Sequence, residues 1–511
     1  MHPHFRRTIA ILLLTVPIVA VAYNEAPAPQ SGRAARVAAL LPEVDKMYGD
    51  LAAREHLPGL VYGVILDGKL VHVRGLGLAD VGRKIPVTSA TEFRIASMTK
   101  SFVAVAALKL RDAGKLRLDD PVAEYLPEWR AVKLPTLDSP AITIRHLMTM
   151  TTGLPEDNPW GDRQMALDNV RLAQIVGAGL SFSTTPGQTF EYSNLGYIML
   201  GKVVSKASGM RFQDYVTREI MQPLGMNNTR WEYTQAAPGK LALGYRWDDD
   251  RWALEPILAD GDGAAMGGLI TTADDFARYV AFHLDAWPAR NDPERGPLRR
   301  ASVREMQQPH VFTGLSATST LVDGKTLNPS VSFYGYGLTT RRDSRDVVIS
   351  GHSGGLPGFG SQYFFAPDHK VGIFAFTNLR YGPVYRPTGK ALATLIERAD
   401  LGPQPVAVSP ILVTRSAQVA QLVQSWDERL GRAIAAENLF LDRSREDWIS
   451  HARDKLTPIG KVTSVGPIKA ENSLRGTFPL IGERGVVNVY FTLTPEREPK
   501  VQEISLTPAK Q

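Results

Sequence analysis

The sequence has 511 residues, of which 44% are apolar and 22% charged, a globular composition that excludes a disordered or fibrous chain. Its formal net charge of +6 is small for this length, and no Lys/Arg block with interleaved aromatic residues occurs, so we expect no nucleic-acid partner. The absence of cysteine excludes disulfides, thiolate metal sites and anchoring through a lipidated cysteine.

Residues 1–22 have the pattern of a signal peptide. Arg6 and Arg7 precede an apolar stretch, which ends in the small-residue cleavage site Ala20-Val21-Ala22. An uncleaved membrane anchor is the alternative, but the stretch is short for a span of about 20 residues and contains Pro17. We therefore expect a periplasmic or secreted protein, cleaved after Ala22, that meets a membrane only if this segment is retained.

The pattern of residues 23–400 predicts one α/β (α+β) domain with an antiparallel sheet. A helical pattern near Val37 to Glu55 comes first, and the turn dipeptide Asp67-Gly68 then joins two strands in a hairpin. Residues 115–310 mix short helices with Pro/Gly loops, which indicates a helical insert. Strands are predicted before and after this insert, at Leu60–Leu66, Lys69–Leu76, Ser332–Arg341, Asp346–Ser350, Phe359–Phe365 and Val371–Thr377. Both ends of the segment therefore contribute to the sheet.

A proline-rich linker, residues 401–415, precedes a separate C-terminal α+β module, residues 416–511. Apolar residues from Val419 to Ile434 predict one amphipathic helix, a shorter helix is predicted over Trp448 to Leu456, and three or four strands follow. This module is similar to cystatin-like or NTF2-like modules.

Ser97-Met98-Thr99-Lys100 places a possible nucleophile and a possible base one helical turn apart. Apolar residues at helical spacing follow, and Gly114 is placed to end the helix. A lysine can accept the serine proton only when its amine is neutral, which desolvation or nearby positive charge favours. The alternative interpretation is an ordinary helix start with Lys100 on the solvated side.

Tyr192-Ser193-Asn194 is a second candidate. A tyrosine beside a cationic amine loses its proton more easily, so Tyr192 could relay the serine proton to a leaving group. The amide of Asn194 could hold a substrate group. The alternative is a structural tyrosine and asparagine before a helix.

Gly351-His352-Ser353-Gly354-Gly355 is a third candidate, directly after a predicted strand. Its glycines allow a substrate to lie close to the strand edge, where a backbone N–H could pair with that of Ser97 as an oxyanion hole. His352 would add a titratable donor. The segment also matches Gly-x-Ser-x-Gly, but a nucleophile elbow at Ser353 requires a helix directly after it, and Leu356-Pro357-Gly358 disfavours one.

These three motifs, in this order, resemble the serine hydrolase family that contains class C beta-lactamases, DD-peptidases, D-aminopeptidases and beta-lactamase-fold esterases. Thr143–Leu154 and Gly267–Asp275 are further family-like phrases, and the resemblance covers about residues 40–398. It implies the beta-lactamase/DD-peptidase-like fold, with an antiparallel sheet flanked by helices and an all-helical subdomain.

The resemblance also implies an acyl-enzyme on Ser97, with Lys100 and Tyr192 moving its proton. Asn194, His352, Ser353 and Gly354 would bind the substrate, and the backbone N–H groups of Ser97 and Gly355 would hold the oxyanion. No metal or other cofactor is expected, and the only implied partner is a small acyl substrate. Nothing in the sequence indicates the oligomeric state.

One departure from the family pattern concerns His352, because class C beta-lactamases have lysine there. Lysine is a fixed cation suited to a substrate carboxylate, whereas histidine is mostly neutral at pH 7. We therefore expect a small amide, peptide or ester substrate, of the D-amino-acid peptidase or esterase type. Beta-lactam hydrolysis is one alternative, and a non-catalytic, penicillin-binding-like sensor module is another.

Overall fold

The computed structural model describes residues 30–509, with side chains from residue 32 onward. The predicted signal peptide lies outside the described residues. Within them, no helix has the length and apolarity needed to span a membrane. The strands in chain order are β1 (Gly59–Leu66), β2 (Lys69–Asp80), β3 (Ile85–Pro86), β4 (Phe93–Arg94), β5 (Tyr245–Asp248), β6 (Arg251–Leu254), β7 (Ile270–Thr271), β8 (Val311–Ser316), β9 (Ser330–Tyr334), β10 (Thr339–Asp343), β11 (Val348–Leu356), β12 (Phe359–Ala366), β13 (Val371–Thr377), β14 (Val462–Val465), β15 (Lys469–Asn472), β16 (Arg475–Gly482), β17 (Gly485–Leu493) and β18 (Val501–Pro508).

The α-helices are α1 (Gln30–Arg54), α2 (Thr99–Asp112), α3 (Val122–Tyr125), α4 (Ile144–Thr149), α5 (Asn158–Gly161), α6 (Asn169–Gly177), α7 (Asn194–Ser208), α8 (Phe212–Val216), α9 (Ala273–Asp285), α10 (Arg300–Met306), α11 (Tyr385–Arg398), α12 (Pro410–Gln424), α13 (Glu428–Ile434), α14 (Glu437–Asp442) and α15 (Arg445–Leu456). A short 3₁₀ turn, Ala96–Met98, leads directly into α2.

The main sheet has nine strands in the order β3-β2-β1-β13-β12-β11-β10-β9-β8, and all its pairs are antiparallel. The predicted hairpin at Asp67-Gly68 is confirmed, and both turn residues have positive φ (50° and 77°), as a tight two-residue hairpin turn requires. Because β1 pairs with β13, the early and late strands form one sheet, with a mainly helical insert between β3 and β8.

The predicted strand over Ser332–Arg341 is wrong. The chain forms β9, reverses through residues 335–338 and returns as β10, and Gly337 adopts a φ of 69° in this turn. Apolar, aromatic and β-branched residues on both sides of the turn conceal this reversal, because only Gly335 and Gly337 indicate it. The strand predicted to end at Ser350 extends instead to Leu356, so the third motif lies within β11.

Helices cover both faces of the main sheet. Buried residues of α1 and α11 form one apolar core with Tyr62, Val64, Ile373 and their neighbours. A larger core on the opposite face includes α2, α7 and α9. Residues 99–108 of α2 are all buried, because this helix lies between the sheet and the helical insert.

The C-terminal module has its own core and a sheet in the order β14-β16-β17-β18, with β15 also pairing with β16. The single helix predicted from Val419 to Ile434 is wrong. α12 ends at Gln424, and Asp427 begins α13 by accepting a hydrogen bond from the Leu430 N–H at 2.7 Å. A side chain that caps a new helix competes with continuation of the old one.

Candidate active site

Ser97 lies in the 3₁₀ turn at the N-terminal end of α2. Ala96, just before it, has a φ of 49°, a left-handed conformation that costs a residue with a Cβ about 1–2 kcal/mol. Ser97 is partly exposed in an otherwise buried stretch. The free N–H groups and dipole of the helix start favour negative charge at this position.

Lys100 is buried beneath Ser97, with no exposed side-chain surface. Its Nζ lies 3.0 Å from Ser97 Oγ, 2.7 Å from Asn194 Oδ1 and 2.6 Å from the carbonyl oxygen of Met266. The alternative interpretation, a helix start with a solvated lysine, is therefore wrong.

These three contacts suit both charge states of the amine, because a protonated lysine has three N–H groups and can donate to all three oxygens. A neutral lysine has two N–H groups and one lone pair, and the carbonyl oxygens of Asn194 and Met266 can only accept hydrogen bonds. In the neutral form both N–H groups would serve these two carbonyl oxygens, and the lone pair would accept from the Ser97 hydroxyl. Burial lowers the pKa of Lys100 to about 7, although the carboxylates of Asp162 and Asp157 act in the opposite direction.

Tyr192 contacts the same two groups. Lys100 Nζ lies 4.9 Å from the centroid of the Tyr192 ring. Burial raises the pKa of the Tyr192 hydroxyl well above its ordinary value, and the Ser97 hydroxyl opposes this only in part. The expectation that a neighbouring cation makes Tyr192 easy to ionise is therefore wrong, because burial of the hydroxyl dominates its pKa.

Asn194 is the first residue of α7 and is fully buried. Its Oδ1 accepts from Lys100, and its Nδ2 donates to Asn158 Oδ1 at 3.0 Å. The carboxylate of Asp157 accepts from the backbone N–H groups of Asn194 and Leu195, at 2.6 and 2.9 Å. The start of α7 thus fixes the amide that orients Lys100.

The third motif borders Ser97 through one edge of β11. Strand β10 pairs with residues 348–351 only, whereas β12 pairs with residues 350–356, so residues 352–356 have no strand partner on the β10 side. The nucleophile-elbow alternative at Ser353 is wrong, because a second strand, not a helix, follows the turn at Pro357-Gly358.

His352 is 2% exposed and uses both ring nitrogens within the chain. Its Nδ1 lies 2.6 Å from the Ser353 carbonyl oxygen, which can only accept, so Nε2 accepts from the Tyr334 hydroxyl at 3.0 Å. Burial, helped by Lys100, lowers the pKa of His352 to about 3. The expectation of a titratable donor is therefore wrong, and His352 is neutral at physiological pH.

The neighbouring residues of β11 differ in what they face. Ser353 is exposed and borders a groove lined by α11, on the sheet face opposite to His352. Gly354 lies against the Ser97 turn, where a Cβ would come within 2.3 Å of the Ile95 carbonyl oxygen. A Cβ on Gly355 would lie 2.8 Å from the ring of Tyr381.

Sequence reasoning missed several residues that complete the site: Met266, Asn158, Asp157, Asp162, Tyr334 and Tyr381. Met266 acts through its backbone, which no side-chain pattern can indicate. The two aspartates lie in a loop without periodicity, and each is brought to the site only by tertiary packing.

Comparison with known proteins identifies the family of the chain. The beta-lactamase family matches residues 44–398, well over half of the sequence. The chain belongs to the beta-lactamase family.

Protein flp of Staphylococcus aureus (strain N315) is 28% identical over 342 residues, covering 66% of this chain and 63% of that protein. Penicillin-binding protein 4* of Bacillus subtilis (strain 168) is 26% identical over 331 residues, covering 61% of this chain and 66% of that protein. The chain thus spans under two thirds of the length of these relatives.

Two solved structures share the fold of this family member. One is the octameric penicillin-binding protein homologue from Pyrococcus abyssi, with a TM-score of 0.59, 20% identity and coverage of 92% of this chain and 96% of that one. The other is a penicillin-binding protein from Bacillus halodurans, with a TM-score of 0.52, 24% identity and coverage of 68% of this chain and 97% of that one. The first likeness extends over the C-terminal module.

Proposed function

We propose that the chain is an exported serine hydrolase that acts through a Ser97 acyl-enzyme on a small amide, peptide or ester. The observation that carries this proposal is the position of Lys100 Nζ, 3.0 Å from Ser97 Oγ, with two further contacts to obligate acceptors. Membership of the beta-lactamase family supports this reaction class.

In the first step Lys100 accepts the Ser97 proton while Oγ forms a bond to the substrate carbonyl carbon. The N–H groups of Ser97 and Gly355 stabilise the oxyanion that develops. Burial raises the pKa of Tyr192, so its hydroxyl keeps its proton and donates a hydrogen bond to the leaving nitrogen or oxygen. When the leaving group departs, it takes this proton from Tyr192, and Lys100 gives Tyr192 the proton that came from Ser97. Water then attacks the acyl carbon, and the same groups release the acid and regenerate Ser97.

The substrate is an amide, peptide or ester of the D-amino-acid peptidase or esterase type, rather than a beta-lactam. A neutral, buried His352 offers no fixed positive charge to the carboxylate that beta-lactam substrates carry. Asn194 and Gly354 support the site through Lys100 and the Ser97 turn. The Ser353 side chain lies on the opposite sheet face, so Ser353 can meet a substrate on Ser97 only through its backbone at the free edge of β11.

The test is covalent labelling of the purified protein with a fluorescent fluorophosphonate, followed by identification of the modified residue. We expect labelling at Ser97 that is lost in Ser97→Ala and slowed at least 100-fold in Lys100→Met. Ser353→Ala is the matched control and should label like the wild type. Labelling that persists in Ser97→Ala, or that is lost in Ser353→Ala, contradicts the proposal.

A further inference from the structure

A groove between the main sheet and α11, the α11 groove, lies outside the catalytic site. Its floor includes Ile349 of β11 and Phe364 of β12, one wall is formed by residues 385–393 of α11, and the other by residues 320–324 between β8 and β9. Its volume of about 610 Å³ is in the range of sites that bind small organic molecules. The groove and the catalytic helix α2 lie on opposite faces of the sheet, so the groove is a separate site.

Three positively charged side chains line the α11 groove without a partner. Arg386 and Lys390 are four positions apart and therefore share one face of α11, and Arg341 lines the groove from β10. Within the described part of the chain, none of the three has a carboxylate oxygen within 4.0 Å, and no acidic residue lines the groove. Like charges at this helical spacing repel each other, and a bound anion would relieve this repulsion.

The start of α11 adds to the positive potential of the groove. A helix dipole is positive at the N-terminus, and the first turn of α11 contains no acidic residue that would offset it. Asp50 and Glu55 border the other side of Arg386 and Lys390, but each of these carboxylates is paired with a cation of α1. The charge of the groove is therefore available to a ligand.

An aromatic pair gives the same groove an apolar surface. The Tyr385 ring packs edge-on against Phe364, with the ring centroids 5.4 Å apart, and Tyr385 is 56% exposed. Leu321 and Val322 lie on the opposite wall. Apolar surface beside three unpaired cations is complementary to a ligand that has an apolar body and a negatively charged head.

We propose that the α11 groove binds a small amphipathic anion, an aliphatic or aromatic body that carries one carboxylate or phosphate group. The head contacts Arg341, Arg386 and Lys390, and the body lies on Phe364 and Tyr385. This binding site goes beyond the proposed function and stands without it, because the groove lies on the other sheet face from the catalytic groups.

The experiment is a fluorescence titration with dansylaminoundecanoate, whose matched control is the primary amide with the same body and no charge. All proteins are full-length and carry Ser97→Ala, so that neither probe is hydrolysed. We expect the carboxylate to bind with a Kd at least tenfold lower than that of the amide. Replacing two cations, in Arg386→Gln/Lys390→Gln, should raise the Kd of the carboxylate at least tenfold and that of the amide less than twofold.

Arg342→Gln is the matched control variant. Arg342 neighbours Arg341 on β10, but its side chain lies on the other face of the sheet, where it pairs with Asp346. This substitution should leave the Kd of both probes unchanged. Because Arg386 and Lys390 are exposed, their substitution should also leave the thermal unfolding transition in place.

Two competitors identify the head group. Decanoate and decyl phosphate are added to the complex of the carboxylate probe, and the one that displaces the probe at the lower concentration has the preferred head. Displacement by neither overturns the proposal. Equal affinity for the carboxylate and the amide, absence of saturable binding, or an unchanged Kd in Arg386→Gln/Lys390→Gln would also overturn it.

Discussion

The pH dependence of acylation tests the assigned role of Lys100. With its pKa lowered to about 7, Lys100 is neutral in about half of the molecules at pH 7, about one in eleven at pH 6 and about nine in ten at pH 8. With the ordinary pKa of 10.5, only about one molecule in 3,000 would be neutral at pH 7. If neutral Lys100 accepts the Ser97 proton, the rate of acylation must follow its neutral fraction.

The assay is the second-order rate of fluorophosphonate labelling, measured from pH 5.5 to 10.5 and corrected for hydrolysis of the probe. We expect the rate to rise about fivefold from pH 6 to 7 and to level off above pH 8. Lys100→Arg keeps a positive charge but cannot become neutral, so its rate should be at least 100-fold lower and should show no inflection near pH 7.

Two results would refute this reasoning. A rate that rises tenfold per pH unit up to pH 9 or beyond would mean that Lys100 retains its ordinary pKa and that burial does not control it. An inflection near pH 7 that persists in Lys100→Arg would assign the titration to another group.

Burial of Lys100 also predicts that the stability of the protein depends on pH. The shift of the Lys100 pKa from 10.5 to about 7 corresponds to about 5 kcal/mol of destabilisation of the folded state, which is fully present below pH 7 and lost above pH 10.5. The free energy of unfolding of the wild type should therefore rise with pH relative to that of Lys100→Met. Urea denaturation of both proteins at pH 6.5, 8 and 9.5 measures this difference. A difference that does not change with pH would contradict the lowered pKa of Lys100. Gly354→Ala should cost roughly 1–3 kcal/mol of stability and slow labelling at least tenfold, because its Cβ would lie 2.3 Å from the Ile95 carbonyl oxygen and displace the Ser97 turn. The matched control is Gly314→Ala, whose Cβ would meet nothing within 4 Å, and equal effects of the two substitutions would disprove this explanation.

The sequence predicted the parts of the fold that depend on local signals. The Asp67-Gly68 hairpin follows from its turn chemistry, and α1, α15 and β13 follow from apolar periodicity. It failed where a tight turn or a capping residue interrupts an otherwise continuous apolar pattern, as between β9 and β10 and between α12 and α13.

The candidate site divides in the same way. Three short motifs were enough to select Ser97, Lys100 and Tyr192 as candidates, because Ser97 and Lys100 share one helix face and each motif has a definite chemistry. The charge states of these residues could not be predicted. A tyrosine beside a lysine was expected to ionise, but complete burial favours the neutral form of both groups.

The sequence by itself determined which chemical groups are available and the order in which the chain presents them: a serine and a lysine one turn apart, a tyrosine with an asparagine, and a glycine-rich strand end. Only the tertiary structure decided that Lys100 is desolvated, that Met266 and Asn194 accept hydrogen bonds from its amine, and that Asp162 and Tyr381, 219 positions apart, form a hydrogen bond. The physical reason is that desolvation and long-range hydrogen bonds depend on which segments pack together, whereas helix spacing and turn chemistry are set by neighbouring residues along the chain.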